Sequence, residues 1–352
     1  MDENMLQKLF KRGLGFCLIM LVFLLSGCEG VTPQKYPFVY SGPIMGTSFS
    51  IKASHIPEQV SIENLQELIL VRLQAINQRM STYLKDSELS LLNTLPSTEP
   101  QIISAELYTV LDAAQNISQL SAGAFDITVG PLVNLWGFGP DIMLYQAPKP
   151  EAIAQLLAQS GYVKLQLNKQ DLTVTKTLAG LSMDLSALAK GYAVDEVARV
   201  LEEQGIKDYL VEIGGEIRLK GNNLQGKKWR IAIEKPTINK RELEKVLAIT
   251  GIAMATSGDY RNFFEQDGQR FSHTIDPRIG YPITHKLASV TVLAETCMLA
   301  DAWATALMVL GPEEAYKMAE KQQLAVFFII KTEQGFADRA TPLFTDYIKV
   351  KQ

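Results

Sequence analysis

The chain has 352 residues, a formal net charge of -4, 47% apolar residues and 20% charged residues. This length allows a large core in one or two domains, and the composition is typical of a globular protein. The slight acidic balance and the lack of a long basic run argue against a nucleic-acid surface, because phosphate binding needs clustered Lys and Arg. The expected partners are therefore small molecules or other proteins.

The N-terminus is predicted to be an export signal. Basic residues precede an apolar run at 14–25 that is too short to span a bilayer as a settled helix. Leu25-Ser26-Gly27-Cys28 follows and resembles the lipobox of bacterial lipoproteins, in which the new N-terminal cysteine is lipidated. We therefore expect lipid on Cys28, with Glu29 favouring an inner-membrane anchor that faces the periplasm. The alternative is a chance cysteine behind an ordinary signal peptide.

The lipobox divides the chain into three parts. We expect a lipoprotein signal peptide at 1–27, a lipidated tether at 28–38 and one folded domain at 39–352. Cys297 would then be the one remaining thiol, so the fold must depend on its core rather than on an internal disulfide. Acyl chains on Cys28 would hold this domain at a membrane surface without a spanning helix.

The mature sequence mixes helical and strand-like patterns. Apolar spacing and caps predict helices at 65–76, 87–92 (capped by Asp86 or Ser87), 105–120, 151–159 and 297–310. Within 41–51, a turn that holds Met45 is predicted to lead into a strand, and 163–174 is predicted to be a strand pair. Alternating patterns predict further strands at 181–186, 209–213, 216–219, 229–234, 249–253, 288–293, 324–330 and 345–350. We therefore expect an α+β fold with two lobes packed around mixed β-sheets and a ligand groove between the lobes.

The stretch Ser182–Asp195 is predicted to be a strand, an irregular turn and a helix. Alternating apolar residues at 181–185 are typical of a half-buried strand whose Asp184 faces away from the core. Helical spacing follows and stops at Gly205. Such a junction gathers a carboxylate, free main-chain carbonyls and the Lys190 ammonium, which are the groups needed to hold an anion through a metal. Taken alone, Asp or Ser before a helix is more often a simple cap.

Two further stretches contain residues suited to binding. On the helix at 297–310, Asp301 and Thr305 are four residues apart and so project from one face, among small and apolar neighbours. A buried Asp there needs a partner or a cation, whereas an Asp on a solvated stripe would not. Glycine-rich loops also carry Phe125 and Trp136, which could stack on a flat ring or simply fill the core. For Trp136 we favour the core.

Seven short stretches stand in order along the chain: Met45-Gly46-Thr47, Ser81-Thr82-Tyr83, Gly123-Ala124-Phe125-Asp126, Met183-Asp184-Leu185-Ser186-Ala187-Leu188-Ala189-Lys190-Gly191, Gly214-Gly215-Glu216, Ser272-His273-Thr274-Ile275-Asp276-Pro277 and Ala300-Asp301-Ala302-Trp303-Ala304-Thr305. Together they resemble the ordered motifs of the ApbE family, whose members are FAD:protein FMN transferases and in many cases lipoproteins. The resemblance covers about residues 39–350. It implies Mg²⁺-dependent transfer of FMN from FAD to a Thr or Ser hydroxyl of an acceptor protein, such as a flavin-bearing subunit of a membrane redox pump, with release of AMP.

The resemblance also implies roles for individual residues. Mg²⁺ would be held by the side chains of Asp301 and Thr305 and by the main-chain oxygen of Ala187, an all-oxygen set of the kind that this ion prefers. For its carbonyl to be free, Ala187 must precede the regular helix, which we expect to begin near Lys190. The positions implied to contact FAD are Met45, Tyr83, Ala124, Phe125, Asp126, Asp184, Lys190 and Ile275.

A general base would help to deprotonate the acceptor hydroxyl. Our first candidate is His273 and the next is Asp276, although His273 in a turn can also simply bond to the backbone. Two other functions stay open at this stage. Attack by water in place of a protein hydroxyl would make the same site a Mg²⁺-dependent FAD pyrophosphatase, and a site without chemistry would make the chain a flavin-binding or solute-binding lipoprotein.

Overall fold

The computed structural model describes residues 37–139, 146–237, 243–259 and 262–349. The predicted signal peptide, Cys28 and most of the tether lie outside these residues. The first strand begins at Phe38, whose side chain is buried. No helix in the described ranges is both long enough and apolar enough to cross a membrane.

Helices and strands are both distributed along the chain. The helices are α1 (Ile62–Met80), α2 (Glu88–Thr94), α3 (Ala105–Leu120), α4 (Gly130–Leu135), α5 (Pro150–Gln159), α6 (Ala189–Glu203), α7 (Cys297–Leu310), α8 (Pro312–Lys321) and α9 (Pro342–Lys349). The strands are β1 (Phe38–Ile44), β2 (Thr47–Ala53), β3 (Gln101–Ile102), β4 (Leu165–Asn168), β5 (Thr173–Lys176), β6 (Tyr209–Ile213), β7 (Glu216–Lys220), β8 (Trp229–Glu234), β9 (Leu243–Ile249), β10 (Ile252–Gly258), β11 (Phe263–Gln266), β12 (Gln269–Ser272), β13 (Ile275–Asp276), β14 (Tyr281–Pro282), β15 (Leu287–Ala294), β16 (Ala325–Thr332) and β17 (Gly335–Ala340). Short 3-10 turns lie at Ile127–Val129 and Tyr162–Lys164.

An eight-stranded sheet forms the centre of the fold, in the order β1-β2-β6-β7-β10-β15-β16-β17. Smaller sheets are β3-β5-β4, β8-β9, β11-β12 and β13-β14. The α+β class with several sheets in one domain is as predicted. The expectation of mixed sheets is corrected, because every strand pair among the described residues is antiparallel. Tight hairpins such as β1-β2, β6-β7 and β16-β17 can only produce antiparallel neighbours.

Three hydrophobic cores organise these elements. The main core joins one face of the large sheet to the helices that include α1, α3, α6 and α7. The second core packs β8, β9 and α9 on strands of the same sheet. A third, which we call the small core, is built from Leu132, Trp136, Ile153, Phe264 and Ile275. The small core supports the elements that flank the site described below.

The predicted strand at 181–186 is wrong. Its apolar residues are buried, but their backbone joins no sheet. The Asn93 side chain forms the hydrogen bonds of the Met183 backbone instead. Its NH₂ group donates to the Met183 carbonyl oxygen at 2.8 Å, and its oxygen accepts from the Met183 N–H at 2.8 Å. A side chain therefore takes the place of a neighbouring strand, and the alternation reflects burial rather than pairing.

Two other strand predictions are corrected. The segment 345–350 lies mainly in helix α9, in which Pro342 takes the first position, where its fixed φ suits a helix. Phe344 of that helix stacks on Phe327, with ring centroids 5.4 Å apart. The segment 249–253 is divided between the end of β9 and the start of β10, because the chain turns at Gly251 with a φ of +68°.

Candidate active site

A cavity of about 470 Å³ lies between residues of the main core and the segment that carries the small core. The predicted site residues that line it are Tyr83, Ala124, Phe125, Asp126, Asp184, Ala187, Lys190, His273, Ile275, Asp301 and Thr305. Two predicted residues do not line it. Met45 lies at the β1-β2 turn, and Asp276 is buried beside the cavity. The structure thus brings together residues that are more than 200 positions apart.

One end of the cavity is acidic. Asp301 of α7 and Glu216 of β7 are buried, and the Lys190 ammonium of α6 lies between their carboxylates. The Lys190 Nζ is 2.8 Å from Glu216 Oε1 and 3.7 Å from Asp301 Oδ2. The Gly191 N–H donates to Asp301 Oδ2 at 3.2 Å. We call Lys190, Glu216 and Asp301 the charged triad.

Close helix packing creates this end. A Cβ on Gly191 would overlap the Cys297 carbonyl and lie 2.7 Å from the Met298 Cα, so α6 and α7 can touch only where residue 191 is glycine. Leu188 at the start of α6 cannot cap the helix through its side chain. The Asp301 carboxylate of the neighbouring helix accepts the Gly191 N–H in its place.

A second contact holds the two helices in register one turn farther on. Asp195 of α6 accepts hydrogen bonds from the Cys297 and Met298 N–H groups at 2.9 Å each, and thereby caps the start of α7. Its Oδ1 is also 2.6 Å from Arg218 Nη1 on β7. The position of Asp301 along α7 is therefore fixed relative to both α6 and β7.

Burial shapes the charges of the triad. Burial raises the pKa of Asp301 above its ordinary value. Burial, with the nearby charge of Asp301, raises the pKa of Glu216 to about 7. Burial alone would lower the pKa of Lys190, but the two carboxylates outweigh it and raise that pKa, so the ammonium keeps its proton. Glu216 Oε2 is buried and has no hydrogen-bond partner among the described residues.

The residues implied as magnesium ligands fit that ion chemically. Helix α6 begins at Ala189, which confirms the prediction that Ala187 precedes it. The Gly191 N–H donates to Asp301 rather than to the Ala187 carbonyl, and no other backbone N–H of the described residues donates to that carbonyl. Thr305 Oγ1 lies 3.3 Å from Ser257 Oγ. A carboxylate, a hydroxyl and a carbonyl are hard oxygen donors. The described residues contain no cluster of three or more His, Cys, Asp or Glu side chains that would suit another metal better.

Asp184 and Asp126 line the cavity in different ways. Asp184 is half-buried, and its Oδ1 accepts from the Ser186 N–H and hydroxyl at 2.8 Å and 2.5 Å. Asp126 is buried, and its carboxylate accepts from the Thr128 N–H and hydroxyl and from the Tyr162 N–H. Burial raises the pKa of Asp126. The carboxylate of Asp126 thus holds the loop that carries Ala124 and Phe125.

A second part of the cavity lining, which we call the aromatic end, contains His273. Phe138 also lies in this part, and its ring centroid lies 6.3 Å from that of His273. His273 Nδ1 is 3.0 Å from the Asn262 carbonyl oxygen. Because a carbonyl can only accept, Nδ1 carries the proton and Nε2 is left able to accept one. Burial lowers the pKa of His273, which favours the neutral ring. His273 therefore bonds to the backbone and also lines the cavity.

Asp276 is less suited to act as a base. Its carboxylate accepts from the Arg278 N–H at 2.9 Å and from the Arg278 guanidinium at 2.9 Å and 2.7 Å. These bonds occupy the carboxylate, and the Asp276 main-chain carbonyl accepts from the Gly280 N–H at 2.8 Å, which closes a turn. Trp136 donates its indole N–H to the Gly280 carbonyl at 2.9 Å and is buried, as expected for a core residue.

Several lining residues were not assigned roles from the sequence, among them Glu216, Ser257 and Phe138. Glu216 belongs to the Gly214-Gly215-Glu216 motif. An acidic residue at the start of a predicted strand was the signal that could have marked it as a site residue. Ser257 follows a strand end, and Phe138 lies in a glycine-rich loop that also holds Trp136. Neither had a local pattern that marked it as facing a ligand.

Comparison with known proteins agrees with the geometry. Residues 45–328 match the model of the ApbE family. The chain belongs to this family. The FAD:protein FMN transferase of Vibrio cholerae is 46% identical over 327 residues, which are 93% of this chain and 96% of that protein. The FAD:protein FMN transferase of Haemophilus influenzae is 43% identical over 343 residues, with 96% and 98% coverage.

Solved structures of the ApbE family share the fold. The flavin transferase ApbE from Vibrio cholerae has a TM-score of 0.83 and 45% identity, and the match covers 88% of this chain and 98% of that chain. The apo form of the Pseudomonas stutzeri flavinyl transferase ApbE has a TM-score of 0.82 and 37% identity, with 90% and 98% coverage. The predictions of family and fold class are therefore confirmed.

Proposed function

We propose that this chain is an FAD:protein FMN transferase, which moves FMN from FAD to the hydroxyl of a Thr or Ser in an acceptor protein. The observation that carries the proposal is one cavity that combines oxygen donors at Asp301, Thr305 and Ala187 with an aromatic end that holds His273. The cavity volume of about 470 Å³ lies within the range of small-molecule sites. The named activity of the relatives supports the same function.

The reaction exchanges one phosphorus–oxygen bond for another. FAD consists of FMN and AMP joined by a pyrophosphate. The acceptor hydroxyl oxygen bonds to the phosphorus on the FMN side, the bond from that phosphorus to the bridging oxygen breaks, and AMP leaves with the bridging oxygen. The hydroxyl proton goes to a base. Because all these phosphate groups are negative, the main tasks of the protein are charge neutralisation and in-line positioning.

The charged end would hold the pyrophosphate. Asp301, Thr305 and the Ala187 carbonyl would bind Mg²⁺, which when present neutralises pyrophosphate charge. The Lys190 ammonium, which keeps its proton, adds a positive charge at the same end. Phe125 and the other apolar lining residues would receive the isoalloxazine or adenine ring.

The proton would be taken by His273, which lines the same cavity. His273 is neutral near pH 7 because burial lowers its pKa, and its Nε2 can take the proton of the acceptor hydroxyl. The hydrogen bond from Nδ1 to the Asn262 carbonyl keeps the ring in the tautomer that this role needs. Asp276, tied to Arg278, would support the turn beside His273 rather than take the proton itself.

Incubation of the mature protein with FAD and Mg²⁺ tests the activity. The acceptor is a purified flavin-bearing subunit of a membrane redox pump, added or left out. Covalent FMN on the acceptor together with AMP supports the transferase. Free FMN and AMP at the same rate with or without acceptor would support the FAD pyrophosphatase instead. Intact FAD in both mixtures would support a non-catalytic binding protein.

We further propose that the protein is lipidated on Cys28, anchored in the inner membrane and exposed to the periplasm. The support is the lipobox-like sequence Leu25-Ser26-Gly27-Cys28 behind an apolar signal. A location outside the cytoplasm would place the site beside acceptors that are membrane subunits. Labelling with radioactive palmitate is expected to mark the wild-type protein and not Cys28→Ser. Equal labelling of the two would contradict lipidation at Cys28.

A further inference from the structure

The charged triad contains one more carboxylate than the proposed ligand set uses. Glu216 is 4% exposed, lines the cavity and keeps its Oε2 without a partner among the described residues. Its other oxygen, Oε1, is 2.8 Å from Lys190 Nζ. A buried acid of this kind is costly unless its charge is balanced or has a use. The function proposed above gives Glu216 no task.

The Lys190 ammonium is shared unequally between the two acids. It lies within hydrogen-bond distance of Glu216, whereas its distance of 3.7 Å to Asp301 Oδ2 is an ion pair without a short contact. A shift of about 1 Å would bring Nζ onto Asp301, and the flexible lysine stem allows such a shift. The Asp301 oxygens would then be occupied by an ammonium. A divalent cation would have to displace it.

The backbone holds Glu216 where it draws the ammonium away. Glu216 begins β7 directly after Gly214 and Gly215, both with positive φ, and pairs with Ile213 across the hairpin. A Cβ on Gly214 would lie 3.3 Å from Glu216 Oε2 and 3.0 Å from Thr47 Cγ2. The turn thus needs a residue without a side chain at 214 to give the Glu216 carboxylate its space.

We propose that Glu216 is a positioning residue for the cation site, which holds the Lys190 ammonium away from Asp301 so that Asp301 can bind a divalent cation. This inference rests on the proposed role of Asp301 as a metal ligand. It assigns Glu216 no direct contact with the cation. The effect of Glu216 is therefore expected to depend on the presence of the lysine.

A double-mutant cycle on cation affinity tests the proposal. Mn²⁺ is titrated into the mature protein without FAD, and free Mn²⁺ is followed by electron paramagnetic resonance, for wild type, Glu216→Gln, Lys190→Met and the double variant. Glu216→Gln is expected to weaken Mn²⁺ binding about tenfold, because coupled contact pairs have interaction energies of this order. Lys190→Met is expected to change affinity by about threefold or less in the wild type, but to raise it about tenfold in the Glu216→Gln background.

The effect of Lys190→Met on Mn²⁺ affinity, with and without Glu216, distinguishes a positioning role of Glu216 from a purely electrostatic one. If Glu216 acts only through its negative charge at a distance, Lys190→Met raises the affinity by the same factor in both backgrounds, and the proposal is overturned. If Glu216 is itself a ligand, Lys190→Met does not restore the affinity of Glu216→Gln, which also overturns it. Larger recovery in the Glu216→Gln background supports it. Thermal unfolding of each variant verifies that it is folded.

Two further variants keep the test decisive. Should Glu216→Gln fail to fold, Glu216→Asp replaces it, since its shorter side chain retreats from Lys190. About threefold weaker binding that Lys190→Met removes is then expected, and weakening that persists without the lysine contradicts the proposal. Asp301→Asn tests the underlying ligand set separately. Unchanged Mn²⁺ affinity in Asp301→Asn would refute the proposed metal ligands, whatever the cycle at Glu216 and Lys190 shows.

Discussion

The two ends of the cavity are built in different ways. The charged end is formed by helices α6 and α7 and strand β7. The two helices touch at Gly191, and Asp195 of α6 contacts both the start of α7 and Arg218 of β7. The aromatic end is formed by the loop that holds Trp136 and Phe138, by the hairpin β11-β12 and by His273. The ring centroids of these segments lie 5.0–6.3 Å apart. Buried charges have to be placed accurately because errors are costly in a low dielectric, whereas ring contacts tolerate small shifts. Substitutions at the charged end should therefore have the larger effects.

The largest effect is expected for Asp301→Asn. Loss of the one charged ligand of the proposed metal site should lower FMN transfer by about a thousandfold, the upper end of the usual cost of losing a main electrostatic group. The rate of flavin attachment to the acceptor measures this. Asp338→Asn is the matched control, because Asp338 lies on the surface in an ion pair with Lys245. Transfer by Asp301→Asn at a rate near that of the control would show that the charged end has no role in the reaction.

At the aromatic end, His273→Gln should slow transfer by about a hundredfold or more, the usual contribution of a general base. A base must be neutral to act, and burial lowers the pKa of His273. The wild-type rate should therefore fall as the pH drops through a value below the ordinary histidine pKa of about 6.5, and should level off above it. His55→Gln, in an exposed loop, is the control. A limb of the pH profile that persists in His273→Gln would show that another group takes the proton.

Gly191→Ala tests the helix contact of the charged end. Ala normally stabilises a helix relative to Gly by about 1 kcal/mol. Here the new methyl group would meet the backbone of Cys297 and Met298, so unfolding free energy should fall by about 3 kcal/mol and Mn²⁺ should bind more weakly. Urea unfolding and the Mn²⁺ titration measure the two effects.

Gly180→Ala is the matched control for this substitution, since a Cβ at residue 180 meets no atom within 4 Å. Equal stability of the two variants would mean that α6 and α7 can separate without cost. The charged end would then be no more rigid than the aromatic end, and the comparison would fail.

The smallest effect is expected for Trp136→Phe in the small core. The substitution removes the hydrogen bond from the indole N–H to the Gly280 carbonyl but keeps most of the ring packing. Stability should fall by about 1 kcal/mol, and Mn²⁺ affinity should stay within experimental error. A change in cation affinity as large as that of Gly191→Ala would show that the two ends of the cavity are coupled.

Local signals explain which parts of the fold could be predicted. Helices α3 and α7 were predicted with their observed bounds, because the apolar spacing that marks a helix is contained within the segment itself. The failure at 181–186 has a distant cause, since Asn93 supplies the backbone partner of Met183. The alternation of buried side chains is the same with or without a neighbouring strand.

The site could be predicted further than the fold details, because the order of its motifs carries information that local patterns lack. Ordered motifs led to Asp301, Thr305, Ala187 and most of the cavity lining. They did not reveal that Asp276 is engaged by Arg278, or that Glu216 holds Lys190. Those contacts depend on which side chains the tertiary structure brings together, and local sequence patterns do not show this.

The central claim is that Asp301, Thr305 and the Ala187 carbonyl together bind the cation that serves FAD. The most direct measurement is a crystal structure of the mature protein grown with Mn²⁺ and FAD, with data collected for anomalous scattering from manganese. We expect a manganese peak in the cavity within about 2.5 Å of an Asp301 oxygen, Thr305 Oγ1 and the Ala187 oxygen. A manganese peak bound elsewhere, or FAD in the cavity with no manganese beside Asp301, would contradict the account.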